Sequence, residues 1–171
     1  GFFDPTSTAV REGRPLLYDT HDGSGLGQAA CASCHLDARS DFLAWDLGDP
    51  AGALKNINLP CLPAQACTTW HPMKGPMVTQ SMQGIVQAGA MHWRGDRVDG
   101  IFGTDSCAEA NGAPCSEEFS FRNFIVAFEG LVGMQGTIDS GEMQQFTDFA
   151  LSIMLPPNPI RALNNSLSAP A

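Results

Sequence analysis

The 171-residue chain has few basic residues and no long apolar run. It carries nine Lys and Arg residues against eighteen Asp and Glu residues, which gives a formal net charge of −9. This acidic balance argues against binding to nucleic acid or to an anionic membrane surface, and it suits a protein partner with a basic patch. Because no apolar run reaches the length of a membrane span, we expect no membrane insertion.

Alternation of apolar and polar residues, the pattern of a half-buried strand, is also lacking. The regular patterns that are present are helical: Phe121, Phe124, Ile125 and Phe128 recur at the spacing of one helix face. Shorter helices are expected just before the Gly-rich stretch at residues 22–27 and over residues 79–89. Segments rich in Pro, Gly, Asp and Asn, which predict loops, occupy most of the remainder, namely residues 36–70 and 94–118.

The last predicted helix has the clearest boundaries. Asp139 can cap it, and Glu142 lies three residues on, which is a capping-box arrangement. Pro156-Pro157 ends it. Between these signals lies an apolar stripe of Met143, Phe146, Ala150, Ile153 and Met154. Met82 also stands at a helical spacing and is expected to pack in the core.

These patterns predict an all-α, loop-rich fold in a single domain. The length suits one domain with a real core, which we place at residues 1–160, and the polar residues 161–171 read as a C-terminal tail or linker. The first residues, GFFDPTSTAV, do not resemble a native translation start. We therefore expect either a mature form after signal removal or one domain of a larger protein.

A second Cys-x-x-Cys pair is missing, and its absence decides the interpretation of the first. Two residues separate Cys31 from Cys34, and His35 follows directly. A zinc site usually takes four ligands from two such pairs, and a redox dithiol belongs in a strand-to-helix turn that the flanking residues do not suggest. Cys-x-x-Cys-His is the attachment motif of c-type haem, in which two thioethers hold the porphyrin and the histidine binds iron. The sequence therefore predicts one covalent haem c.

Four further cysteines remain. Their even number and short local spacings suggest two disulfides, Cys61–Cys67 and Cys107–Cys115, although other pairings and free thiols stay open. Disulfides and c-type haem both belong to oxidising compartments. We therefore expect a periplasmic or secreted protein.

The sixth iron ligand decides what chemistry such a haem can perform. A methionine or histidine in that position leaves electron transfer as the only reaction of the iron, whereas an open position lets peroxide or small gases bind. Met134 lies between the two best predicted helices, in a loop that can fold over the haem face opposite His35. Met77 and His92 are the main alternatives, and an ordinary core or surface role is possible for each.

Haem propionates need hydrogen-bond donors. Trp45 and Trp93 offer indole N–H groups, and Arg94 and Arg97 offer guanidinium forks, so these four residues are candidate propionate partners. A core tryptophan or a surface arginine is the plain alternative for each of them.

Four segments in order carry a family resemblance: REGRPLLYDTHDGSGLGQAACASCH, KGPMVTQSMQGI, AMHWRGDR and SGEMQQFTDFALSI. In order and spacing they resemble one haem domain of the bacterial di-haem cytochrome c peroxidases and their methylamine-utilisation relatives. The resemblance spans most of the chain. It implies a class I cytochrome c fold, with the N-terminal and C-terminal helices packed near the haem edge.

The resemblance also implies roles for individual residues. Gly75-Pro76 would offer a backbone carbonyl to His35, which places Met77 on the His35 side and favours Met134 as the distal ligand. His92 would lie at the haem edge. Two departures limit the inference: this chain has one Cys-x-x-Cys-His, and the helix that supplies the family's methionine has none near Ala127.

The functional prediction is a mono-haem c-type cytochrome domain that carries single electrons between a redox enzyme and another carrier. One alternative is a peroxidase-like enzyme with an open distal site and His92 as acid or base. A second alternative is a haem-based sensor that binds carbon monoxide, nitric oxide or oxygen without turnover.

Overall fold

A computed structural model describes residues 3–56, 69–86, 88–89, 91–93, 97, 116–162, 164 and 166–167. Cys61, Cys67, Cys107, Cys115 and Arg94 lie outside these residues, so both disulfides and the role of Arg94 stay predictions. Within the described part, no helix is both long enough and apolar enough to cross a membrane.

Helices at the two ends of the chain dominate the described structure. They are α1 (Thr8–Tyr18), α2 (Glu117–Arg122), α3 (Val126–Gly130) and α4 (Ser140–Ser152). Three single 3₁₀ turns join them, at Cys31–Ser33, Leu36–Ala38 and Asn123–Ile125. Four strands of two residues each lie between α1 and α2: β1 (Ala44–Trp45), β2 (Lys55–Asn56), β3 (Thr69–Trp70) and β4 (Met77–Val78).

The first and last helices cross in close contact. A Cβ atom added at Gly13 in α1 would lie 2.1 Å from the backbone oxygen of Gln145 and 2.4 Å from Cβ of Phe149. Only glycine therefore permits this approach, and it brings Leu17 and Ala150 to full burial. Contact between the two terminal helices is what the family resemblance implies, while the class I cytochrome c fold itself stays a prediction.

The start of α4 is confirmed in detail. One carboxylate oxygen of Asp139 accepts the N–H groups of Gly141 and Glu142, at 2.7 and 2.9 Å. The Glu142 carboxylate accepts the N–H of Asp139 at 3.0 Å, which completes the capping box. The predicted end of the apolar stripe is wrong, because α4 ends at Ser152 and the side chain of Met154 is 64 % exposed. Ile153 already has extended backbone angles, so the stripe no longer follows a helix.

The helix predicted around Phe121–Phe128 is interrupted. The Asn123–Ile125 turn separates α2 from α3, yet the predicted face still points inward, because Phe121 and Phe128 are buried. Both rings meet Phe146 of α4 edge to face, at centroid distances of 5.1 and 6.2 Å. These contacts join the C-terminal helices into one apolar core.

The helix predicted over residues 79–89 is wrong for the residues described. This stretch has no regular helix, and the N–H of Met82 donates to the backbone oxygen of Ala38 at 2.9 Å. The backbone here therefore bonds largely to other segments, at Ala38 and, from the N–H of Gly84, at Ile153. Met82 is nonetheless buried in the core, as predicted.

Two small sheets occur, and three of their four strands, β1, β2 and β3, lie where the sequence predicts loop. In the first, β1 pairs antiparallel with β4, with Ala44 opposite Val78 and Trp45 opposite Met77. In the second, β2 pairs antiparallel with β3. The cysteine motif borders the apolar core, with Cys31 and Ala32 packed against it.

Candidate functional site

The cysteine motif forms a single tight turn. The N–H of His35 donates to the backbone oxygen of Cys31 at 2.9 Å, and the N–H of Ala30 donates to Oγ of Ser33 at 3.0 Å. These bonds place Cys31, Cys34 and His35 within one turn of backbone. Both thiols are free and partly buried, as two thioether attachments require.

The imidazole of His35 is held by one hydrogen bond. Its Nδ1 atom lies 2.8 Å from the backbone oxygen of Gln80. A carbonyl can only accept, so Nδ1 carries the proton of the neutral ring, and Nε2 has the lone pair that a metal needs. Burial lowers the pKa of His35 and so favours this neutral form, although the Gln80 bond acts in the opposite direction.

The structure assigns the carbonyl role to Gln80 and not to Gly75-Pro76, which the family resemblance implied. Gly75 and Pro76 directly precede β4, and the chain reaches the motif only after that strand. There the backbone bond from Met82 to Ala38 lays this segment along the residues that follow His35. Gln80, two residues before Met82, is consequently the residue whose oxygen meets the imidazole.

The environment of the two thiols argues against a redox dithiol. Burial raises the pKa of Cys31 to about 11. Burial also raises the pKa of Cys34, and the carboxylate of Asp41 adds to this effect. A thiol that attacks disulfides needs a lowered pKa, so neither cysteine is activated for that chemistry.

A protein-only metal site finds no support in the part of the chain that the structure describes. There, no three His, Cys, Asp or Glu side chains group closely enough to hold a metal ion. A haem iron does not need such a group, because the porphyrin supplies four nitrogens and the protein adds only axial ligands. The single histidine of the motif is compatible with such an axial role.

Met134 lies in the loop between α3 and α4, at the edge of the core. Its N–H donates to the backbone oxygen of Phe128 at 2.8 Å. The loop also touches the approach to the motif, since the N–H of Gly25 donates to the backbone oxygen of Val132 at 3.2 Å. Met134 and Cys31 are both half-buried against the same apolar core, which keeps Met134 a candidate ligand.

The two alternative ligands occupy different surroundings. Met77 lies in β4, where its backbone faces Trp45 across the sheet. His92 adopts a left-handed backbone conformation, with φ of 72°. Its ring meets Phe124 edge to face at 5.9 Å, and its charge contributes to the lowered pKa of His35. Among the contributions to the lowered pKa of His35, burial is the largest and His92 the smallest.

Neither tryptophan keeps its indole N–H for a propionate. Nε1 of Trp45 donates to Oδ2 of Asp41 at 2.8 Å, and Nε1 of Trp93 donates to the backbone oxygen of Val78 at 2.8 Å. Since an indole has only one donor, both groups are committed to the protein. Both side chains are exposed and lie at the β1–β4 sheet.

Arg97, a predicted propionate partner, is buried beside Phe124, and its role stays a prediction. It is only 7 % exposed, and its guanidinium carbon lies 4.5 Å above the ring centroid of Phe124. One terminal nitrogen donates to the backbone oxygen of Asn123 at 3.4 Å. Phe124 contacts both Arg97 and His92, so these two sequence-predicted residues are brought together.

Two residues of the site were not predicted from the sequence. Gln80 contributes through its backbone oxygen, which no side-chain pattern can reveal. Asp41 accepts a bond from Trp45 and influences the pKa values of Cys34 and His35. The spacing of Asp41 and Trp45, four residues apart, was the only available signal, and it is common.

No protein-family model matches the chain, and no curated protein matches it. Among solved structures, the chain is similar to a hydrazine synthase chain from Kuenenia stuttgartiensis, in a structure pressurised with 20 bar xenon. The TM-score is 0.50 at 17 % sequence identity, and the match covers 97 % of this chain and 43 % of that chain. This chain therefore spans less than half the length of that neighbour, and at such an identity the likeness concerns the fold alone.

Proposed function

We propose that this chain is a mono-haem c-type cytochrome domain that transfers single electrons between a redox enzyme and another carrier. The observation that carries the proposal is the 2.8 Å bond from Nδ1 of His35 to the Gln80 carbonyl, next to two free thiols in the same turn. That bond leaves Nε2 as the lone-pair nitrogen and fixes the ring, which is how proteins prepare a histidine for a metal.

The residues present fit a haem c. Cys31 and Cys34 would form the two thioethers, His35 would bind the iron, and Arg97 would hold a propionate. Bound there, the haem supplies a reversible one-electron couple. The chain's own contribution is to orient His35 through Gln80 and to place a half-buried apolar edge, which includes Cys31 and Met134, beside the motif.

A class I cytochrome c fold over residues 1–160 is part of this proposal. It is supported by the close crossing of α1 and α4 at Gly13. The resemblance to less than half of a longer chain supports the idea that this is one domain of a larger protein. The expected location is the periplasm or the outside of the cell, where c-type haem is attached.

The proposed partner is a redox protein with a basic patch. Its recognition is supported by the formal net charge of −9. Asp46 and Asp49 are exposed in the loop after β1. Trp45 directly precedes Asp46, and the rings of Trp45 and Trp93 are both exposed, so a partner there would meet apolar surface with an acidic rim.

A peroxidase-like enzyme with an open distal position is the second candidate. It is favoured by the proximity of His92 to the motif, since a histidine near the haem can transfer protons. The structural neighbour is itself named as a synthase. A gas sensor has the same open site without turnover.

An optical spectrum of the dithionite-reduced protein, before and after carbon monoxide, separates these functions. An unchanged Soret band means that both axial positions are filled, as electron transfer requires. A shifted band means an open site; peroxide turnover then identifies the enzyme, and binding without turnover identifies the sensor.

The sixth ligand is tested by Met134→Ala, with Met154→Ala as the matched control. Met154 is exposed beyond the end of α4. If Met134 binds iron, only its substitution opens the site to carbon monoxide and lowers the reduction potential, because a thioether ligand raises it. Equal behaviour of the two variants would transfer the assignment to Met77 or His92.

A further inference from the structure

Asp41 is the centre of a hydrogen-bond cluster beside the cysteine motif. Oδ2 accepts the indole N–H of Trp45 at 2.8 Å, and Oδ1 accepts the N–H of Leu43 at 2.9 Å. The side chain of Thr79 is a third partner of the same carboxylate. Asp41 thus joins the β1 side of the small sheet to the residue that follows β4.

This cluster is linked directly to His35. Thr79 immediately precedes Gln80, whose carbonyl accepts the bond from Nδ1 of His35. The N–H of Thr79 also donates to the backbone oxygen of Leu43 at 3.3 Å. Thr79 is therefore fixed through both its backbone and its side chain, and the Gln80 carbonyl is positioned by that anchor.

The charge of Asp41 also acts on the motif. Burial raises the pKa of this carboxyl group, but the bonds from Leu43, Trp45 and Thr79 outweigh that effect and lower the pKa overall. Asp41 is thus an anion at neutral pH. Its negative charge acts to raise the pKa values of both Cys34 and His35, although burial lowers the pKa of His35 overall. The charge of Asp41 therefore acts on both residues.

We propose that Asp41 is a positioning residue that sets the reduction potential of the haem, by anchoring the Thr79–Gln80 backbone against His35 and by placing a fixed negative charge beside it. The inference rests on the proposed haem function. It assigns to Asp41 a role that neither the attachment motif nor the axial ligands contain.

The anchor and the charge of Asp41 both lower the reduction potential of the haem. A fixed anion near the iron stabilises the more positive ferric state. A firm acceptor on Nδ1 makes the imidazole a stronger electron donor, and this also favours ferric iron. Loss of Asp41 should therefore shift the potential in the positive direction.

The test compares Asp41→Asn with Asp46→Asn in the haem-loaded protein, by spectroelectrochemical titration. Both changes remove one negative charge next to β1, Asp41 before the strand and Asp46 after it. Within the described residues, the carboxylate of Asp46 accepts a single 3.3 Å bond from Gly48. We expect Asp41→Asn to raise the ferrous-to-ferric ratio at fixed ambient potential by roughly tenfold, which equals 59 mV for a one-electron couple. Asp46→Asn should shift the reduction potential much less.

Thr79→Val separates the anchor from the charge, because it removes a hydrogen-bonding hydroxyl and leaves Asp41 ionised. We expect a smaller positive shift in potential, together with a changed NMR shift of the His35 Nδ1–H proton in the ferrous protein, because this proton makes the bond to Gln80. The proposal is overturned if Asp41→Asn shifts the potential no further than Asp46→Asn. If Asp41→Asn does not accumulate as folded protein, wild-type values of both quantities in Thr79→Val overturn it instead.

An error in the proposed haem function would be seen in a different measurement, the haem absorbance of the wild type. A chain that takes up no covalent haem shows no haem absorbance in the wild type or in any variant. A haem-loaded wild type with an unmoved potential in Asp41→Asn rejects only the role of Asp41.

Discussion

The four helices α1, α2, α3 and α4 form the helical half of the molecule. The motif side, residues 31–56 and 69–83, is stabilised in a different way. In the helical half, apolar side chains are buried, as Leu17, Met143 and Ala150 are. On the motif side, large apolar side chains such as Phe42 and Trp45 remain exposed. Order there comes instead from hydrogen bonds between chain segments, including those from Met82 to Ala38 and from His35 to Gln80.

The residues that stabilise the fold and the residues that carry the proposed chemistry therefore lie in different regions. Burial of apolar area is the main favourable term in folding, so the helical half should carry most of the free energy of unfolding. The motif side holds the thiols, the histidine and the charge that acts on them. Substitutions in the two regions should consequently change different observables.

The largest effect is expected from Cys31→Ser combined with Cys34→Ser. Without either thiol no thioether can form, so covalent haem should be lost completely, while the helices assemble through contacts that do not need the thiols. Haem retention after acid–acetone extraction measures the first quantity, and circular dichroism measures the second. The single variant Cys31→Ser serves as control, because one thioether remains; extraction-resistant haem in the double variant would contradict the assignment.

The next largest effect tests the stability contrast with two phenylalanines. Phe128 is 3 % exposed in the helical half, and its replacement by alanine should cost about 3–5 kcal/mol of unfolding free energy. Phe42 is 87 % exposed on the motif side, and the same replacement should stay within about 0.5 kcal/mol. Urea unfolding of both variants makes the comparison, and equal losses would refute the proposed division of stability.

A smaller effect is expected at the crossing of α1 and α4. Gly13→Ala places a methyl group against the backbone of Gln145, which cannot move without shifting α4. We expect a loss of about 2 kcal/mol, typical of overpacking. Gly130→Ala in α3 is the matched control, since nothing lies within 4 Å of the added carbon. Equal midpoints for the two variants in urea would mean that the close crossing is not needed.

The smallest effect concerns pH in the haem-free protein. Burial lowers the pKa of His35 below its ordinary value of 6.5, so the unfolded chain takes up a proton before the folded chain does. Stability should therefore decline as the pH falls below about 6.5, and the decline should end below the folded pKa. His35→Gln should remove part of this slope, whereas His21→Gln, at a side chain 87 % exposed, should leave it in place. An identical slope in both variants would exclude His35 as the source.

Local features of the sequence were predictable, and distant pairings were not. The capping box of Asp139 and Glu142 and the Cys-x-x-Cys-His turn each lie within a few residues, so their spacing alone carries the geometry. The acceptor for His35 lies 45 residues away and is a backbone oxygen, which any residue type can provide. The wrong helix over residues 79–89 has the same origin, because pairing with residues 35–38 overrides the local preference of this stretch.

The donors of Trp45 and Trp93 show the same limit. Each indole N–H was correctly expected to need an acceptor, but the acceptors are Asp41 and the Val78 backbone. Sequence can show that a donor exists, whereas tertiary structure decides which acceptor it meets. The class I cytochrome c fold and the ligand Met134 remain predictions for the same reason.

The intact mass of the mature protein, together with its pyridine haemochrome spectrum, tests the central claim most directly. The account predicts a polypeptide heavier by one haem, with the absorption band of a haem joined through two thioethers. An unmodified mass with two alkylatable thiols at Cys31 and Cys34 would contradict it.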